Sequence, residues 1–79
     1  MTNTSDFQGK MRGRKYTLDT LSKDMGISRT ALFNKIHNKQ EFVASEIQNV
    51  KVLLDLTDED VQGIFFAQSV EYNSTKGDA

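Results

Sequence analysis

Thr30 and Asn34 stand four residues apart, with Arg29 just before the first and Phe33 just before the second. On a helix that spacing sets the four side chains on adjoining strips of one face. Three of them carry heads that match the edges of nucleobases. An Arg guanidinium can donate two bonds to O6 and N7 of guanine, an Asn carboxamide can pair with N6 and N7 of adenine, and a Thr methyl can touch the methyl of thymine. Phe33 has two readings, either a cover over thymine methyls or a half-buried packing residue, because aromatic rings are drawn into cores by their area.

Other chemistries find few of the residues they need. The chain has no Cys and one His, which excludes a thiol nucleophile and leaves no His-rich metal set. His37 reads as a residue at a helix C-terminus or a neighbour of phosphate rather than a catalyst. Asp58, Glu59 and Asp60 are consecutive and lack the alternating oxygen ligands of a calcium loop, so capping of a helix start explains them. Gly9 and Gly13 are too sparse for a phosphate-cradling loop. The chain therefore reads as a non-enzyme without cofactor or metal.

The elements that must position Arg29, Thr30 and Asn34 follow from spacing and punctuation. Thr17 is suited to cap a helix that runs to about Met25, with Leu18, Leu21 and Met25 on its apolar side and Asp19 in its first turn. Gly26 supplies the left-handed residue that ends a helix in a tight corner, Ile27 plugs the corner, and Ser28 caps the next helix, roughly 29–37. That helix divides into an apolar side (Ala31, Leu32, Ile36) and an acid-free polar side (Arg29, Thr30, Asn34, Lys35).

Three further helices flank this pair. Ser5 or Asp6 is expected to cap a short first helix carrying Phe7 and Met11, although Gly9 and Gly13 weaken it. After a loop over 38–42, Ser45 with Gln48 forms a capping-box pattern for a fourth helix bearing Ile47, Val50, Leu53 and Leu54. Thr57 with Asp60 repeats the pattern before Val61, Ile64 and Phe65. An all-α fold of five short helices results. Residues 1–5 are expected to be a flexible N-terminus, 6–67 the domain, and 68–79 a flexible polar tail.

Length and charge narrow the class. Seventy-nine residues without disulfides make one small domain, whose stability would gain from a partner subunit. No run approaches the ~18 apolar residues of a membrane span, and MTNTSDFQGK has no apolar signal core, so a soluble cytoplasmic protein is expected. The net charge of -1 hides two fields: residues 1–39 carry eight cations against three anions, and residues 40–79 two against eight. A basic half of this kind favours phosphate or acidic partners. Candidate phosphate contacts are the hydroxyls of Thr17 and Ser28 with the helix starts they cap, then Asn38 and Lys39 in the following loop. Lys35, like Lys23, is either a phosphate contact or solvated surface. Phe65 and Phe66 are adjacent and cannot easily share one core, so they are candidates for a dimer contact.

The runs TLDTLSKDMGISRTALFNKIHNKQEF and SEIQNVKVLLDLTDEDVQGIFF resemble the lambda-repressor-like helix-turn-helix family, in particular small Cro-like and repressor-like regulators of phages from Gram-positive bacteria. Gly-Ile-Ser-Arg-Thr at 26–30 is the most specific part, and Leu-Leu-Asp-Leu-Thr at 53–57 matches the turn between the last two helices. Leu18 stands where the family often has Gln, and Ser22 where Ala is usual. The resemblance implies a compact five-helix DNA-binding domain with its helix-turn-helix at helices two and three. It implies base reading by Arg29, Thr30, Phe33 and Asn34, backbone contacts from Thr17, Ser28, Asn38 and Lys39, and a transcriptional repressor acting in the bacterial cytoplasm at the nucleoid. A homodimer on two operator half-sites about one helical turn apart would supply the interface that one small domain lacks. The alternative is an antirepressor or modulator that binds a phage repressor protein and has weak DNA affinity of its own.

Overall fold

Capping residues set most of the helix boundaries in the computed structural model, which describes residues 1–66. Five helices form there: α1 (Thr4–Gly13), α2 (Leu18–Met25), α3 (Arg29–Ile36), α4 (Ala44–Leu53) and α5 (Asp58–Phe65). The polar tail expected over 68–79 lies outside the described residues.

Thr17 opens α2 through a reciprocal pair, its Oγ1 accepting from Thr20 N–H at 3.1 Å while Thr20 Oγ1 accepts from Thr17 N–H at 2.9 Å. Thr57 and Asp60 repeat the exchange at α5, both bonds 3.0 Å. Ser28 Oγ accepts from Ala31 N–H at 3.0 Å at α3. These three starts lie where the sequence placed them, because a side-chain oxygen relieves a helix N–H that has no backbone partner.

Two starts differ. α1 is capped by Asn3, whose Oδ1 accepts from Asp6 N–H at 3.1 Å, so neither Ser5 nor Asp6 caps it. α4 begins after Val43 instead of at the Ser45–Gln48 pair. Val43 has no side-chain acceptor, so only half of a capping box exists: Glu46 Oε1 accepts from Val43 N–H at 3.0 Å.

Four of the five helix ends, those of α1 to α4, share one device. Gly26 has φ 75°, and Lys15, Asn38 and Asp55, each just past a helix, also take positive φ. In each case the following N–H reaches back to the last turn: Tyr16 to Met11, Ile27 to Ser22, Lys39 to Asn34, Leu56 to Lys51, at 2.8–3.1 Å. This left-handed exit satisfies carbonyls that the helix leaves open.

The core joins every helix: Phe7 and Met11 of α1, Leu21 of α2, Leu32 and Ile36 of α3, Val50 of α4, Ile64 and Phe65 of α5, with Leu54 and Leu56 between α4 and α5. Leu18, Met25, Ile47, Leu53 and Val61 pack at its margin. α2 packs on α3 and α4, and α5 on α1 and α4. Ser22 is buried, its Oγ donating to Asp19 carbonyl at 2.9 Å, so a small polar residue fits the inner face of α2 without an unpaired hydroxyl.

Residues 1–3 are hydrogen-bonded to the rest of the fold. Asn3 N–H donates to Ile64 carbonyl at 2.6 Å, and Thr2, only 7% exposed, is held by Asn38. Polar composition suggested a loose end, but these backbone groups find partners on α5 and after α3.

Candidate nucleic-acid interface

α3 is fixed from one side. Leu32 and Ile36, four residues apart, are buried, and the Gly26–Ile27–Ser28 corner sets its angle to α2. What remains outward is Arg29, Thr30 and Phe33, all exposed, with Asn34 half-buried beside them. The structure thus brings together all four residues that the spacing grouped. Within the described residues the Arg29 guanidinium makes no ion pair and no hydrogen bond, and the side-chain heads of Thr30 and Asn34 have no hydrogen-bond partner.

Leu18, the first residue of α2, closes this face from the side. With Arg29, Thr30 and Phe33 it lines a shallow cavity of about 220 Å³. Phe33 is 41% exposed, and its ring rests against His37 with centroids 4.2 Å apart. Phe33 is thus partly covered by its own helix while part of its ring stays accessible, and both readings of it stay open. The part of Leu18 was not apparent from spacing, which counted it only as an apolar position of α2.

Lys35 leaves the face. Its side chain is 12% exposed and its Nζ lies 3.1 Å from Glu46 Oε1, with a second bond of 3.2 Å to Glu41 carbonyl. One turn of helix carries it past the outer strip to α4, so its placement among the phosphate contacts is corrected. Asn38 is likewise engaged elsewhere. Its Oδ1 accepts from Thr2 N–H at 2.8 Å, and its Nδ2 donates to Thr2 carbonyl at 3.0 Å. This carboxamide ties the N-terminus down.

Thr17 and Ser28 remain exposed at the starts of α2 and α3, although each hydroxyl is already serving its cap. Lys39 is exposed and makes no ion pair within the described residues. Phe65 is only 4% exposed and meets Phe7 and Phe42 edge to face, at 6.0 and 5.2 Å. It closes the core and is removed from the dimer candidates. Phe66, 40% exposed, stays outside.

Ion pairs redistribute the two charge fields. Lys10 joins Asp60 at 3.4 Å, Arg14 joins Asp55 at 2.9 Å, Lys35 joins Glu46, and Lys51 joins Asp58. Three cations of the basic half are thereby spent on acids of the other half. Arg12, Lys15, Lys23, Arg29 and Lys39 form no ion pair within the described residues. Asp24 accepts from Tyr16 Oη at 2.7 Å, a bond that raises the Tyr16 phenol above its ordinary pKa.

No protein-family model, curated protein or solved structure matches the chain. Among the described residues no three His, Cys, Asp or Glu side chains gather for a metal ion, and no helix is long and apolar enough to cross a membrane.

Proposed function

We propose that the chain is a sequence-specific DNA-binding transcriptional regulator of the lambda-repressor-like, Cro-like kind, with α2 and α3 as its helix-turn-helix and α3 in the major groove. One observation carries this reading: an acid-free helix face on which Arg29 and Thr30 are exposed and Asn34 is half-buried beside them, with no hydrogen-bond partner for their side-chain heads among the described residues. Base edges supply the acceptors and donors that these heads lack. Lys39 and the capped starts of α2 and α3 supply phosphate contacts, and the unpaired Arg12, Lys15 and Lys23 add to the attraction for a polyanion. Of Phe65 and Phe66, the exposed Phe66 is the one available for contact between two copies on adjacent half-sites.

The deciding measurement is binding to the adjacent intergenic DNA against random duplex over a range of salt, with and without the neighbouring phage repressor protein. Preference for the intergenic duplex that persists as salt rises supports the reading. Equal affinity for both duplexes overturns it, and co-purification with the repressor in that case favours the modulator alternative.

A further inference from the structure

The cavity between Leu18 and Phe33 belongs neither to the core nor to an ion pair. Single apolar side chains on a surface are ordinary, but here two of them face one notch, and its rim carries a guanidinium without an ion pair among the described residues. The Phe33 ring rests against His37, and Leu18 packs at the margin of the core, so each wall has a neighbour within the fold.

Size and chemistry limit the occupant. About 220 Å³ is less than the roughly 300–1,000 Å³ of a drug-sized ligand site, and a docked helix would need a longer groove than these four residues supply. A small apolar projection beside a pair of hydrogen-bond acceptors fits both the walls and the rim. In the major groove thymine presents a C5 methyl, and guanine presents O6 and N7 as a pair of acceptors.

We infer that Leu18 and Phe33 grip the C5 methyl of a thymine adjacent to a guanine that Arg29 engages, so that each half-site contains neighbouring thymine and guanine. This rests on the assignment of α3 to the major groove and adds to it which base the notch selects. Thr30 also lines the notch. Uracil, which lacks only the C5 methyl, is the discriminating probe.

The full chain is used to enrich duplexes from a random pool, and each thymine of the enriched half-site is then replaced singly by deoxyuridine. One replacement, next to the guanine whose preference disappears in Arg29→Ala, weakens binding about fourfold, as removal of one buried methyl should. In Phe33→Ala, which removes an exposed ring and leaves the core intact, that replacement has no effect. Circular dichroism confirms that the variant folds. Tolerance of uracil at every thymine overturns the notch while leaving DNA reading in place, and so does an undiminished uracil effect in Phe33→Ala. A pool that yields no enriched sequence overturns the DNA reading and the notch with it.

Discussion

Lys35 Nζ lies 3.1 Å from Glu46 Oε1, which turns a cation of α3 away from the exposed face of that helix and onto α4. Glu46 also holds Val43 N–H, so one carboxylate starts α4 and anchors it to α3. Lys35→Met keeps the aliphatic stem and removes the pair. The expected cost is about 1 kcal/mol of stability, since the pair is mostly covered but not deeply buried, with base preference unchanged. Urea unfolding and binding to a panel of point-mutant duplexes check both halves. A shift in base preference would return Lys35 to the interface.

Arg29 and Lys39 should fail in different ways. Arg29→Ala is expected to flatten preference at one base position by about 1–3 kcal/mol, leaving affinity for random duplex nearly intact. Lys39→Ala is expected to weaken all duplexes alike and reduce the slope of log affinity against log salt by about 1. Titrations at several salt concentrations separate the two, and matching effects from both variants would refute Arg29 as a base reader.

Asn38 combines a left-handed backbone, φ 66°, with two bonds to Thr2. Asn38→Ala loses the bonds and strains the backbone, for an expected loss of about 2 kcal/mol. Asn38→Gly loses only the bonds and should cost about half as much. Hydrogen exchange at Thr2 N–H should accelerate in both variants. Slow exchange in either would mean that the clamp does not hold the N-terminus.

The start of α5 should make stability sensitive to acid. Asp60 is held below its ordinary pKa chiefly by the Thr57 N–H that it accepts, and Asp58 by its bond to Lys51. A carboxylate whose pKa is lower folded than unfolded contributes stability above the unfolded value, about 3.9, and loses that contribution as pH falls through the folded value. Melting temperature should therefore drop as pH is lowered below about 4. Asp60→Asn, which can still accept from Thr57, should show a shallower drop. An identical acid limb in variant and parent would rule out this source.

Local chemistry was legible and distant pairing was not. Thr17, Gly26, Ser28 and Thr57 announced their roles because a cap or corner depends on residues within one turn. Asn3 was missed because a capping residue in a polar terminus looks like part of a loose end, and it becomes useful only when Ile64 meets its N–H. Lys35 looked equivalent to its neighbours on α3. The difference lies in Glu46, eleven positions away, which helical spacing cannot see. Between Phe65 and Phe66, adjacency indicated that one core would not easily hold both, but choosing Phe65 required the rings of Phe7 and Phe42 already in place. Leu18 is the residue whose meaning changed most, from an apolar position within one helix to a wall shared with the next.

The 2.6 Å bond from Asn3 N–H to Ile64 carbonyl brings residues near the two ends of the described segment together. The fold is thus a closed loop rather than an open stack, and neither end can peel away without releasing the other. Loosening α5 withdraws the carbonyl that positions Asn3, which then ceases to present its cap to α1; the strand of chain through Thr2 and Asn38 carries the disturbance to the exit of α3. Sixty-six residues linked in this way should unfold as one cooperative unit, with no terminal helix that opens by itself.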